Sequence, residues 1–346
     1  MRIIDVARPF GLLIAFFFLS GPALAQINAR QNTLQPNSPA TAVETRRATT
    51  TTAGDTGLWF LPTGEVLPAH KWSISAYRVN FDYEQGFTDV SNLPLTWAVG
   101  VENRLELFGA LTLVRRIDRD VRPLFFPTAA AASISNGGVV NEYPFATQSW
   151  TGNKLGDFWV GAKVNLTSER RQARAAFAVR GMVKVPSDGT VSTGKVDFAL
   201  DAVLSKETAQ RIELSSLGGF IVRSDPDQYQ LLNGLRWGFG VGFPTRKSLR
   251  LTVEVHGEEY FGNAVELQVP SILPPASEQD GPLNVSLGLT WLGARGLFAG
   301  AGLTWNLRLN SRSDFGSFQD ETGDALGLQI RVGYHRGVLL DASRGR

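Results

Sequence analysis

Twelve ionisable residues recur at alternating positions inside extended apolar runs: Lys163, Arg174, Arg180, Lys184, Asp197, Asp201, Glu213, Arg236, Arg250, Glu254, His256 and Arg331. Gathered on one face of successive strands, such charges do one of two things. They select solutes in an aqueous pore, or they neutralise one another and fill the space. A symmetric hairpin across the 186–194 connection sets Lys184 opposite Asp197 and Arg180 opposite Asp201, two pairs of opposite sign. Opposite charges placed across a strand pair contribute roughly 0.2–1 kcal/mol. The same symmetry about the 244–248 turn sets Arg236 opposite His256 and Gly238 opposite Glu254. An unpaired charge costs more in a confined interior than in water. The expectation is therefore a mostly charge-paired lumen, with a narrow, weakly selective channel as the alternative.

Other chemistry is thinly represented. The three histidines are His70, His256 and His335, and only His256 has acidic neighbours, Glu258 and Glu259. A hydrolase needs a nucleophile beside a positioned base, and the chain shows neither a glycine-flanked nucleophile elbow nor a His-Asp-Ser type cluster. No catalytic residue is assigned and no enzyme activity is expected. The acidic group Asp314, Asp320, Glu321 and Asp324 does not have the spacing of a calcium loop, so neither a metal nor a cofactor is expected. With no cysteine there is no disulfide or thiolate site. A net charge of +2 without a basic run gives no reason to expect nucleic acid.

The elements that must position these charges are β-strands. Over residues 173–185, Ala173, Ala175, Phe177, Val179, Gly181, Val183 and Val185 share one face, while Arg174, Arg180 and Lys184 lie on the other. The same alternation runs through 71–83, 92–101, 105–115, 157–166, 196–204, 212–222, 229–243, 249–255, 283–291, 297–307 and 326–334, twelve strands in all. The phase of 71–83 slips near Ala76 and Tyr77, which predicts a bulge. Residues 57–62 read as a further short strand or a plug. Gly234, Gly238, Gly240, Gly242, Gly300 and Gly302 fall on inward faces, where they relieve crowding. Trp237, Phe239, Phe243, Trp291 and Trp305 fall on apolar faces near strand ends, where interfacial girdles sit.

Connection lengths separate a membrane barrel from a soluble sandwich. Tight connections at 102–104, 167–172, 205–210, 244–248 and 293–296 alternate with others that include the long 116–156, 256–282 and 308–325. Short turns at one end and long loops at the other belong to outer-membrane barrels, the turns facing the periplasm. An even strand count puts both termini on that side. The first 25 residues have a basic start, an apolar run over 11–19 and Ala23-Leu24-Ala25, the order of a cleaved signal peptide. The expected organisation is a signal peptide over 1–25, a flexible periplasmic arm over 26–55, a barrel over 56–335 and a periplasmic tail over 336–346. The fold class is all-β, a transmembrane antiparallel up-and-down β-barrel of about 12 strands in the outer membrane of a Gram-negative bacterium.

Specific residues carry a likeness. The run Gly57-Leu58-Trp59-Phe60-Leu61-Pro62-Thr63-Gly64, then Leu67-Pro68, Trp72 and residues 83–90 (YEQGFTDV), resembles the barrel region of OmpA-like outer-membrane proteins, as does the hairpin over 99–109 (VGVENRLELFG). That resemblance implies a barrel. In many such proteins a peptidoglycan-binding domain follows it; none is expected after this barrel, so wall anchoring is not expected either. Three functions stay open: a structural or porin-like barrel passing solutes by weakly selective diffusion, an outer-membrane lipid-modifying enzyme with His256 as base, and a surface adhesin using the 117–156 loop. The expected partners are outer-membrane lipid and lipopolysaccharide, the barrel-assembly machinery and small solutes.

Overall fold

In the computed structural model the described residues are 46–120, 138–187, 189–268, 276–293, 295–309, 326–336 and 338–340. Among them, twelve long strands follow one another: β1 Trp72–Tyr83, β2 Thr88–Glu102, β3 Leu105–Arg119, β4 Phe158–Thr167, β5 Ala176–Val185, β6 Asp197–Glu207, β7 Glu213–Val222, β8 Gly234–Phe243, β9 Leu249–Tyr260, β10 Leu283–Leu292, β11 Leu297–Asn306 and β12 Leu326–His335. Each pairs antiparallel with the next, and β12 returns to pair with β1, so the sheet closes without an edge. Closure satisfies every strand's backbone within the sheet, which a lipid-facing sheet requires because hydrocarbon offers no hydrogen bonds.

Side chains alternate accordingly. Along β6, Asp197, Ala199, Asp201, Val203 and Ser205 are buried, while Phe198, Leu200 and Leu204 point outward. Outward residues elsewhere include Phe220, Val253, Leu287, Leu289, Trp291, Trp305 and Val332, all large, apolar and exposed. A belt of this kind far exceeds the few hundred Å² of contiguous apolar surface that a soluble monomer shows. Lipid is its natural solvent.

Four local readings of the sequence are corrected. The expected strand 173–185 begins only at Ala176, because residues 168–175 form a turn around a short 3-10 helix at Glu169–Arg171. The expected strand 229–243 is divided: Tyr229–Gln230 joins a three-stranded sheet with Ala264–Leu267 and Ala276–Glu278 at the long-loop end, and β8 starts at Gly234. Across the 244–248 turn, Arg236 faces Glu258, Gly238 faces His256 and Gly240 faces Glu254. That is two residues from the expected register, a shift that preserves which face each residue occupies. Finally, no bulge lies at Ala76 or Tyr77. Tyr77, Val79 and Phe81 keep the inward phase and contact aromatic residues inside the barrel. The irregularity falls on the next pair, between Leu93 and Pro94 against β3, where Pro94 has no N–H to donate.

What those inward aromatics meet is the chain's own beginning. Residues 48–67 lie inside the barrel, with Thr49, Thr50, Thr51, Asp55, Thr56, Leu58, Trp59, Thr63, Glu65 and Leu67 at most 1% exposed. The flexible arm expected over 26–55 is therefore corrected at its end: 48–55 lie inside the barrel, and 26–45 lie outside the described residues, as does the expected signal peptide. The segment enters beside Arg46–Arg47, which pairs with Val338–Leu340 of the tail, and it leaves into β1 at the short-turn end. Within it, Thr50 bridges Thr56 and Gly57 bridges Pro62. The glycines of the wall make room for it. A Cβ on Gly238 would sit 2.4 Å from Leu61, one on Gly240 2.7 Å from Leu58, and one on Gly288 2.3 Å from Trp59.

A cation on the outward face tests the lipid assignment. Leu287→Arg, midway along β10, is expected to destabilise the barrel by about 2–4 kcal/mol, the cost of Arg near a bilayer midplane. Denaturant titration of barrels folded into lipid vesicles reads this directly, and an unchanged midpoint would contradict a lipid-facing Leu287.

Candidate functional site: a plugged lumen and the chamber beyond it

Ion pairs and amide cradles hold the segment 48–67, here termed the plug. Asp55 lies between two cations of the wall, with Arg180 Nη1 at 3.1 Å and Lys163 Nζ at 3.7 Å. Lys163 also meets Glu106 Oε1 at 3.0 Å, and Arg180 meets Asp201 Oδ2 at 2.7 Å. The result is an alternating chain Glu106, Lys163, Asp55, Arg180, Asp201, which Arg236 ends at 3.7 Å from Asp201. Its first five members have side chains at most 1% exposed.

Two wall carboxylates also accept from the plug's backbone. Glu254 takes the N–H of Trp59, Phe60 and Leu61 at 2.8, 2.9 and 2.8 Å. Glu106 takes those of Thr56 and Leu67 at 2.9 and 2.8 Å. Such charge-assisted bonds are the strong ones, and they replace the water these carboxylates lose. Opposite them, Arg331 donates to the Leu58 carbonyl at 2.7 Å and to Thr290 Oγ1 at 2.6 Å, and its guanidinium lies 4.1 Å from the Trp59 ring. Toward the short-turn end, Glu65 of the plug accepts from Ser168 Oγ and the Glu169 N–H, both at 2.7 Å.

Beyond the plug toward the long loops lies a cavity of about 340 Å³. Thr52 and Ala53 of the plug form its floor, and Phe81, Trp159, Met182 and Ile221 contribute apolar wall. Folded loop residues reach over it. Val140, Tyr143 and Ala146 pack with Val90, Ile117 and Val191, while Asn141 exchanges two hydrogen bonds with the backbone of Leu232, at 3.0 and 2.8 Å. Arg223 ties loop to wall through Glu142 at 2.9 Å and Glu258 at 2.5 Å. Burial pushes the Glu142 carboxyl above the usual carboxylate range, and Arg223 pulls against that rise.

Of the twelve residues singled out from the sequence, Lys163, Arg180, Lys184, Asp197, Asp201, Glu213, Arg236, Arg250, Glu254, His256 and Arg331 face the lumen. Arg174 does not. It is an exposed residue of the turn before β5, because that strand starts three residues later than expected. Lys184 pairs with Asp197, Arg180 with Asp201 and Arg250 with Glu213. The first two match the expected register. His256 stacks on Phe60 of the plug at 4.7 Å, and its Nε2 has no hydrogen-bond partner among the described residues. Sequence reasoning missed Asp55, Glu65 and Glu106, and the chamber pairs Arg115–Asp157 and Arg223–Glu258. Glu106 carried a usable signal, since it occupies the inward phase of β3. Asp55 carried none.

Removing the plug's central charge tests this network. Asp55→Ala leaves a buried cation in excess, a change that typically costs about 3–5 kcal/mol. Backbone amides of residues 48–67 should lose hydrogen-exchange protection while the strands keep theirs. Unchanged protection of the plug would remove Asp55 from its anchoring role.

Comparison with solved structures bears on the fold. The COG4313 outer membrane channel from Pseudomonas putida F1 superposes with a TM-score of 0.52 at 12% identity, over 79% of this chain and 97% of that one. LpxR from Salmonella typhimurium matches with a TM-score of 0.38 at 8% identity, over 76% and 99%. OmpT of Vibrio cholerae matches with 0.30 at 10%, over 76% and 96%. No family model and no curated protein matches the chain. Its fold is that of an outer-membrane β-barrel: closed, antiparallel and twelve-stranded.

Proposed function

We propose that this chain is a channel of the bacterial outer membrane, a narrow diffusion pathway that its own residues 48–67 hold closed at rest. The single observation that carries this reading is the plug itself. A purely structural barrel needs no separate chain segment to fill it, yet here wall glycines, carboxylates and arginines are all fitted to one. The plug is also a continuous stretch with both ends at one mouth, so it can leave without unravelling a strand. The COG4313 protein, a channel, shares the fold. The short-turn end, where Arg46–Arg47 meets Val338–Leu340, faces the periplasm in this proposal, and the long loops face outward.

Lipopolysaccharide around the barrel, insertion by the barrel-assembly machinery and small solutes as cargo belong to the same proposal. Kinship with OmpA-like proteins rests on residues 57–109 alone, and the first of those motifs, 57–64, builds the plug. The channel reading is favoured over a lipid-modifying enzyme because His256 faces the lumen and stacks on Phe60, away from the lipid belt. An adhesin gains little from the described part of the 117–156 loop, which packs onto the barrel mouth; residues 121–137 lie outside the described residues.

Planar-bilayer recording tests the proposal. The full chain should be silent or give rare small steps, whereas a variant lacking residues 48–67 should give frequent large ones. An Asp55→Ala, Glu254→Gln double variant, which keeps the chain length, should fall between. A folded plug-less barrel, recognised by heat-modifiable gel mobility, that stays silent would refute a channel. Large steps from the full chain would refute closure by the plug.

A further inference from the structure

Most of the chamber's cations already have well-formed partners. Arg115 donates to Asp157 at 2.8 Å, to Asn92 at 2.8 Å and to the Val191 carbonyl at 2.6 Å. Arg223 holds Glu142 and Glu258 and donates to the Leu232 carbonyl at 2.9 Å. Arg236 differs. Its contact with Asp201 is 3.7 Å long, and the same carboxylate oxygen is already taken by Arg180 at 2.7 and 3.0 Å. No hydrogen bond of the Arg236 guanidinium is formed with any described residue, and its side chain keeps 23% exposure at the cavity wall. On the neighbouring strand, His256 lines the same cavity with Nε2 buried and unpartnered.

A guanidinium with unused donors at the edge of a small cavity is a preformed anion receptor. Its planar fork matches a carboxylate in two parallel hydrogen bonds. The rest of the cavity sets the remaining chemistry. Phe81, Trp159, Met182 and Ile221 suit an apolar body, and about 340 Å³ falls at the small end of ligand sites. Glu142, Glu258 and Asp82 also line it, so a second negative charge on the ligand would meet carboxylates. We infer that the chamber binds a small organic monocarboxylate, its carboxylate on Arg236 beside His256 and its apolar body against Phe81, Trp159 and Met182. This deepens the channel proposal by naming a cargo class, and it rests on that proposal only for the ligand's route in and out.

Calorimetric titration of the full chain in detergent micelles tests the assignment without any conductance. Cyclohexanecarboxylate is the probe, cyclohexylmethanol its neutral counterpart and inorganic phosphate the apolar-free anion. The carboxylate should bind at least tenfold more tightly than the alcohol, and phosphate should not bind measurably. Arg236→Gln should weaken carboxylate binding tenfold or more, with Arg236→Lys recovering part of it. Equal affinity for acid and alcohol, or phosphate binding as well as the carboxylate, would overturn the inference with no variant needed. So would a folded Arg236→Gln barrel that binds the acid unchanged. Selective binding by a barrel whose plug-less form is silent would refute the channel and keep the site. Conduction without selective binding would do the reverse.

Discussion

Filling a barrel with its own chain removes the water that would otherwise solvate the inward face. Every charge packed against the plug must then be answered by protein. Asp55 bears the largest share of this constraint, because it alone brings a negative charge between Lys163 and Arg180. Those cations in turn hold Glu106 and Asp201, so one plug residue fixes the charge balance of three neighbouring strands, β3, β4 and β5, and of β6 beyond them. Buried ion pairs of this sort are weak sources of net stability and good sources of specificity. Here they define one position for the plug. Apolar burial of Leu58, Trp59, Leu61 and Leu67 supplies affinity, at roughly 1.5–3 kcal/mol for each fully buried aliphatic side chain.

The barrel was legible in the sequence because its signal is local and repeated. A period of two, sustained over ten residues and restated twelve times, needs no tertiary information. Lys184–Asp197 and Arg180–Asp201 were legible too, because the 186–194 connection is symmetric and fixes the register. At the 244–248 turn the centre of symmetry lies one residue further on. Arg236 and His256 therefore kept their faces and lost their assigned partners. Arg174 failed for a different reason: the alternation begins before the true start of β5, and nothing in the pattern marks where pairing starts.

Beyond 57–62, which read as a short strand or a plug, the plug was illegible for a physical reason. Residues 48–67 have no periodic pattern, and their partners lie far away; Glu254 accepts from amides 193 to 195 positions earlier. The threonines at 49–52 look like linker composition, yet inside the lumen the hydroxyls of Thr49, Thr50 and Thr51 bond Gly57, Ser75, Thr96 and Asp55. The indirect signs were present but ambiguous. Lumen glycines and the inward aromatics Tyr77 and Phe81 both imply an object against the wall. Read without that object, the glycines became relief of crowding among wall side chains and the aromatics became a bulge.

The cation–π contact between Arg331 and Trp59 has a consequence for how the barrel is held shut. Arg331 belongs to β12 and Tyr77, an edge-on neighbour of Trp59 at 5.9 Å, belongs to β1. These two strands form the seam that converts an open sheet into a cylinder, and among the described residues six pairs join them, from Ile330–Arg78 to His335–Ser73. Trp59 thus touches both sides of the shortest wall pairing from within. With residues from both strands gathered on one indole, the plug braces the seam from within, and the closed seam in turn retains the plug.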